Sequence, residues 1–388
     1  MALLYGVQAC SSNPGLAMLP IAHFLKTDLG FSATEVAGFQ AIAFLPWFLK
    51  PLFGLVIDSF SLWGFRSKSY LLVCYSWVMF GFLGFSQLTD YSYGLLLGGV
   101  VSISLAIAFS DVVADKLMIT EGKAADTTAQ LQGAQWVGLG VSGAAMLLLG
   151  GWLTERVSLS VVFGLSAIAP ALGILGVWRL LVEPRQQVGG ALGNVGRTVG
   201  RTWKLLRQRR FLGVMLLIVL LGFCPIPPTY FYQRDTLQFS NEFIGRLSAF
   251  SLLGTGLGAL VFGRLASWIA PRNFVYGVIG LNAIATASLA LMRGTGSAIA
   301  IAIFMGISGI WATLLIFELI IQACPEGAEG TVYALAVALS NFAVSLGLVF
   351  GSWLYDGGIS FSTLALIGAG ATLACLTVSP FLKEEMGA

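Results

Sequence analysis

Apolar residues recur along this chain in runs of about twenty, and no other feature restricts its fold so strongly. A helix crosses a ~30 Å hydrocarbon layer in about 20 residues. Runs of that length fall at 2–25, 35–57, 70–89, 93–118, 129–150, 159–182, 211–233, 241–265, 274–292, 298–322, 331–354 and 361–382. Water-soluble domains carry roughly 25% charged residues, whereas here 10% are charged and 57% hydrophobic. A core built from 388 residues could not hide that surplus. An aqueous globular enzyme is excluded, and so is a disordered chain. The pattern predicts an all-α membrane protein with twelve transmembrane helices. Its 48 glycines agree, because Gly is commoner in membrane helices than in soluble ones.

Most connections are short, but the one from Glu183 to Arg210 is long and rich in arginine. It divides the chain into a six-helix half (1–182), a basic linker (183–210) and a second six-helix half (211–388). Loop Lys and Arg residues collect on the cytoplasmic side. With both termini inside, fifteen of them fall there and five outside, leaving Lys50 within the membrane. Both termini are therefore expected in the cytoplasm, with a bacterial inner membrane as the setting. The opening residues lack a basic n-region and an Arg/Ser-rich leader, so the first segment is expected to stay in the mature chain. A net charge of +3 does not suggest a nucleic-acid surface. The Arg197–Arg210 cluster reads instead as a topology signal, with an interfacial helix over Trp203–Phe211 facing anionic lipid.

The two halves repeat each other. Segment 5 ends Gly150-Gly151-Trp152-Leu153-Thr154-Glu155 and segment 11 ends Gly351-Ser352-Trp353-Leu354-Tyr355-Asp356. Segment 2 carries Phe53-Gly54 and segment 8 carries Phe262-Gly263, so the two offsets are 201 and 209 residues. Six helices, a basic loop and six related helices is the layout of the major facilitator superfamily, in which substrate sits near the midplane between the halves.

An ionisable side chain at the centre of a membrane helix costs roughly 2.5–3.5 kcal/mol on insertion scales. Lys50 lies well inside segment 2, about 12 Å from Asp58 at 1.5 Å rise per residue, a long way for its stem to snorkel. Pro46 and Pro51 loosen the backbone beside it. It reads as an anion-binding or ion-pairing cation. Asp111 and Asp115 on segment 4 are spaced i,i+4 and share a face. Two carboxylates on one low-dielectric face cannot both ionise cheaply, which suits a proton carrier. A structural ion pair with Lys116 or Lys50 is the plainer alternative. Glu318 occupies the near-equivalent region of segment 10. Arg246, early in segment 8, reads either as an interfacial cation or as an anion binder. Gln8, Ser11, Ser12 and Asn13 precede Pro14 in a polar, broken stretch of the kind that lines a cavity. His23, the one histidine, reads as an interfacial hydrogen-bonder.

Other patterns carry no chemistry. Gly138 to Gly143 matches G-x-G-x-x-G but sits in an apolar span without a βαβ unit. It reads as close helix packing, as do Gly254 and Gly258. There is no G-x-x-x-x-G-K-[ST], so an ATP-driven pump of that kind is excluded. The five cysteines are scattered without a C-x-x-C pair and read as small buried hydrophobes. Neither a metal nor a cofactor is expected.

Segment 2 and its following loop carry Leu45-Pro46-Trp47-Phe48-Leu49-Lys50-Pro51-Leu52-Phe53-Gly54, then Asp58, Gly64-Phe65-Arg66 and Lys68. This stretch resembles the folate–biopterin transporter family, and its second part resembles the superfamily's helix 2–3 loop signature. Ala108 to Asp115, followed by Gln132 and Trp136, resembles the family's helix 4–5 block. Phe231-Tyr232 with Phe239 and Glu242 to Gly245 resembles its helix 7–8 junction. Cys324 to Thr331, with Ser340-Asn341, resembles its helix 10–11 block. The blocks lie in order over nearly the whole chain.

The resemblance implies a twelve-helix secondary carrier of folates, pterins or related anionic conjugated solutes; the intramembrane carboxylates Asp111, Asp115 and Glu318 lead us to expect coupling to protons as a symporter, and a monomer is expected. The intramembrane polar groups and the family blocks together give an expected substrate or coupling set of Lys50, Asp111, Asp115, Lys116, Gln132, Trp136, Arg246, Glu318 and Asn341. The implied gating loop comprises Gly54, Asp58, Gly64, Arg66 and Lys68. Lys50, Lys116 and Arg246 are the cations available to a dianionic folate. Trp47, Trp136, Tyr230 and Trp311 are the rings available to its pterin. The alternatives are a transporter-like assembly factor or receptor without transport, and a carrier of a different organic solute. One histidine and no His/Cys cluster leave little machinery for an enzyme.

Overall fold

The computed structural model describes residues 1–11, 15–65, 67–125, 128–183, 209–266, 271–323 and 329–377, and these are helical without a named strand. Each of the twelve expected segments contains helix. Seven described helices are long and apolar enough to cross a membrane, and Gly138–Thr154, Val275–Leu291 and Phe361–Thr377 are shorter apolar helices. Their outward faces expose large apolar side chains such as Leu52, Trp77, Phe80, Leu172, Trp178 and Leu260. Water would not tolerate that much contiguous apolar surface; lipid does. The protein is an integral, multi-pass membrane protein.

Several segments depart from uniform rods, and each departure has a local cause. Segment 1 is two helices, Ala2–Ser11 and Met18–Thr27, on either side of Pro14. Segment 2 runs as Ala33–Phe44, a 3-10 turn over Leu45–Leu49, then Lys50–Ser59. Pro46 and Pro51 lack the amide protons a continuous helix would need there. Segment 4 is longer than expected, reaching Ala125. Segment 7 stops earlier, at Gly222, where Pro225, Pro227 and Pro228 follow; a π-helical turn over Tyr232–Thr236 completes it.

The described contacts fall into two units. Unit 1 holds Met1–Gly30, Ile42–Val195 and Asn241–Ala249; unit 2 holds Phe31–Ala41, Gly196–Ser240 and Phe250–Ala388. The core of unit 1 gathers Leu4, Tyr5, Val7, Ile57, Leu71, Tyr75, Val113, Leu117 and Val177. Segments 1 and 5 lie close there, since a Cβ on Gly138 would come within 3.0 Å of the Ala2 Cα. The G-x-G-x-x-G run thus begins at a close helix crossing. The core of unit 2 gathers Met215, Leu217, Ile218, Val275, Val278, Ile279, Leu315 and Ile316. In unit 2 the same packing joins segments 8 and 10, where a Cβ on Gly258 would lie 2.9 Å from the Ile307 Cα. Among the described cysteines, Cys10, Cys74, Cys224 and Cys375 are free thiols; Cys324 lies outside the described residues.

Candidate functional site

The break in segment 2 places Lys50 at the start of a new helix, followed by Pro51 in the position helices tolerate best. A helix start carries partial positive charge, which makes it an unfavourable place for a buried ammonium. Segment 4 supplies the compensation. Lys50 Nζ donates to the Asp111 carboxylate in an ion pair whose side chains are 19% and 5% exposed. The ammonium also stands 4.6 Å from the centroid of the Trp47 ring, a cation–π distance. Trp47 is itself stacked on Phe44.

Asp115, one helical turn beyond Asp111, takes a different partner. The phenol of Tyr5, fully buried in segment 1, donates its proton to the Asp115 carboxylate. Segments 1, 2 and 4 therefore converge on one group: Tyr5, Trp47, Lys50, Asp111 and Asp115. One carboxylate faces a cation and the other a neutral hydroxyl. An ammonium held this way can exchange its carboxylate for an anionic group of a solute. The second carboxylate can hold a proton without leaving a strong cation unpaired. Lys116 points elsewhere, because adjacent helix positions diverge by about 100°. Its Nζ donates to the Ile57 carbonyl at 3.3 Å, near the carbonyl end of the Lys50–Ser59 helix.

The loop after segment 2 is a tight reversal. Leu62 and Phe65 exchange backbone hydrogen bonds of 2.9 and 3.0 Å, with Trp63 and Gly64 between them at φ 55° and 82°. Both lie in the left-handed region, as a type I′ turn requires. Lys68 Nζ donates to the carbonyls of Trp178 and Leu181 at 3.0 and 2.8 Å. The Glu183 carboxylate accepts from the Ser67 and Lys68 amides. Each end of this contact satisfies backbone groups that a helix terminus leaves open. Gly54 has open space where a Cβ would go.

Other expected residues lie apart or beyond description. Arg246 pairs with Glu242 one turn before it, and Glu242 also holds Arg156 at 2.8 Å. Asn341 is half-buried in segment 11, where its carbonyl accepts from the Ser345 hydroxyl. Trp311 donates to the Gly258 carbonyl at 2.8 Å and packs edge-on against Phe262, a packing role within unit 2. Arg66 and the side chains of Asp58, Gln132, Trp136 and Glu318 lie outside the described residues. Among the described residues no group of three or more His, Cys, Asp or Glu is placed to hold a metal ion.

Tyr5 and Arg156 were not singled out from the sequence, and Glu242 entered only as part of the helix 7–8 block. The Glu242–Arg246 pair was readable there as an i,i+4 couple. Tyr5 had a fainter signal, since Tyr5, Gln8 and Ser12 recur at helical spacing along one stripe.

Comparison with known proteins covers most of the chain. The sequence profile of the BT1 family matches residues 12–367. A "Folate-biopterin transporter" of Synechocystis sp. is 29% identical over 388 residues, covering 95% of this chain and 78% of that protein. A "Probable folate-biopterin transporter 2" of Arabidopsis thaliana is 24% identical over 93% of this chain and 75% of its own length. Among solved structures, the nucleoside transporter NupG superposes with a TM-score of 0.70, at 16% identity and 98% coverage of both chains. A D-xylose–proton symporter superposes with a TM-score of 0.68, at 13% identity, covering 98% of this chain and 96% of that one. The fold is that of the major facilitator transporters.

Proposed function

The chain belongs to the BT1 family, and on that premise we propose that it is a secondary active transporter of folate, pterin or related anionic conjugated solutes. The observation that carries the proposal is the buried group formed by Lys50, Asp111, Asp115 and Tyr5. A purely structural membrane protein gains little from an ion pair that costs several kcal/mol per ion to desolvate. A carrier of anions needs a cation that can be released and recaptured. The printed names of the relatives support folate and biopterin as the first solutes to try.

In this reading the solute's carboxylate takes the place of Asp111 beside Lys50, and Trp47 offers a ring face beside that ammonium. A proton arriving on Asp111 neutralises it and frees Lys50 for the anion. Asp115, steadied by the Tyr5 phenol, is the second proton-carrying position, and Glu318 is a third candidate from segment 10. Net transport then couples one solute to inward proton movement. Two six-helix halves, 1–182 and 211–388, alternate access around the site, joined by the basic linker 183–210. The termini and the linker lie in the cytoplasm, supported by the fifteen-to-five bias of basic residues. A bacterial inner membrane is the proposed location, with the monomer as the working unit.

Uptake of labelled folate, methylfolate and biopterin by cells expressing the chain tests the solute class. Accumulation above vector-only cells is expected, and none for any of the three would reject it. Collapsing the pH gradient tests the coupling. Uptake should fall to equilibration, and unchanged accumulation would remove protons from the mechanism.

A further inference from the structure

The cysteines are scattered in sequence, and two of them meet inside unit 2. Cys224 follows the helix of segment 7, which ends at Gly222, and precedes Pro225. Cys375 opens the 3-10 turn that closes the helix Phe361–Ala374 of segment 12. The two segments pass closely, since a Cβ on Gly368 would lie 2.7 Å from the Pro225 carbonyl oxygen. One turn along, the Thr372 hydroxyl lies 3.4 Å from Cys224 Sγ. Gly368, Thr372 and Cys375 are spaced i, i+4 and i+7 and so share one face of segment 12. The thiols of Cys224 and Cys375 hydrogen-bond to each other. Each also lies 3.4 Å from the carbonyl one turn before it, that of Leu220 and that of Ala371 respectively.

The other described thiols are placed differently. Cys74 is buried in segment 3 and Cys10 is half-buried in segment 1, and neither has a second thiol beside it among the described residues. A lone thiol in apolar surroundings is inert. A thiol held against a second one is not, because bond formation between them is intramolecular and the effective concentration of the partner is very high. Cys224 is half-buried, which leaves its sulfur within reach of a small permeant reagent. Both cysteines stand just past regular α-helix, where helix ends fray and the backbone can adjust toward disulfide geometry.

We propose that Cys224 and Cys375 form an oxidative modification site, a thiol pair that a two-electron oxidant joins as a disulfide between the break in segment 7 and the end of segment 12. With a diazene such as diamide, the first sulfur adds to the N=N bond and its proton passes to nitrogen. The second sulfur then attacks the first and displaces the hydrazine, which takes the second proton. Two S–H bonds and the N=N π bond break, while one S–S and two N–H bonds form. The thiols lose two electrons and the diazene gains them. The site lies in unit 2 alone, and the proposal does not depend on which solute the chain carries.

The test uses the full chain in membranes of expressing cells, with Cys10, Cys74 and Cys324 replaced by alanine. After diamide treatment the protein is denatured and its free thiols are counted with a polyethylene-glycol maleimide. Two thiols are expected before treatment, none after it, and two again after reduction with dithiothreitol. Cys224→Ser and Cys375→Ser, each introduced alone, should keep the one remaining thiol through the same treatment. Two thiols that persist would overturn the proposal, and so would single variants that lose their thiol as readily as the pair. Peptide mapping of the chain with all five cysteines is a second measurement that needs no substitution. A reducible link between the peptides holding Cys224 and Cys375 is expected, and links from either to Cys10, Cys74 or Cys324 instead would refute the pairing.

Discussion

Two charge groups of unit 1 use the same chemistry under opposite conditions. Lys50 and Asp111 meet where the carboxylate side chain is 5% exposed; Arg156, Glu242 and Arg246 meet where the two guanidinium side chains are 43% and 56% exposed. Removing one member of a buried pair strands the other charge, at a cost of about 3–5 kcal/mol. An exposed pair is screened by solvent and contributes about 0–1 kcal/mol. The difference teaches where function is to be sought: exposed arginines hold a helix end cheaply, while a buried lysine needs a carboxylate beside it to stay charged. Arg246 reads from sequence either as an interfacial cation or as an anion binder, and the structure pairs it with Glu242 at an exposed position.

The sharpest way to break the contrast is Asp111→Asn. It leaves the ammonium facing a neutral amide, so uptake should drop to background and stability in detergent should fall by up to about 3–5 kcal/mol. Lys50→Ala should likewise abolish uptake while the chain still inserts. The double variant Lys50→Met with Asp111→Leu should recover most of the lost stability and none of the transport, as apolar replacements of buried pairs do. Recovery of transport as well would make the pair structural.

Tyr5→Phe is expected to act at an intermediate level. It removes one hydrogen bond to a charged acceptor, worth about 1.5–3 kcal/mol, and should slow uptake several-fold with normal insertion. An effect as large as that of Asp111→Asn would mean the phenol itself contacts the solute. The smallest change belongs to Arg246→Gln. Stability should move by less than about 1 kcal/mol, the difference should shrink as salt is raised, and uptake should stay near the parent rate. Abolished uptake would return Arg246 to the binding set.

Much of this was legible in the sequence because membranes impose one-dimensional rules. Apolar runs of fixed length predict the twelve segments, and Pro46 with Pro51 predicts loosened backbone beside Lys50, which the structure shows as a 3-10 turn followed by a new helix. The i,i+4 spacing placed Asp111 and Asp115 on one face, and Lys50 was already among the partners open to them. What escaped was long-range. Tyr5 lies 110 residues from Asp115, and an aromatic in an apolar helix looks like packing until its hydroxyl is seen to aim at a carboxylate. Cys224 and Cys375 were visible only as scattered thiols. Their meeting, marked by a Thr372–Cys224 contact across 148 residues, depends on how segments 7 and 12 pack, which no local pattern encodes.

The most direct test of the central claim is a paired uptake assay, with the parent chain and Lys50→Ala expressed at equal levels in the same cells and offered labelled folate and biopterin. Saturable uptake of at least one solute by the parent, with background accumulation in Lys50→Ala, is the predicted result. Equal uptake by the two chains would contradict the assignment of the buried lysine as the group that holds the transported anion.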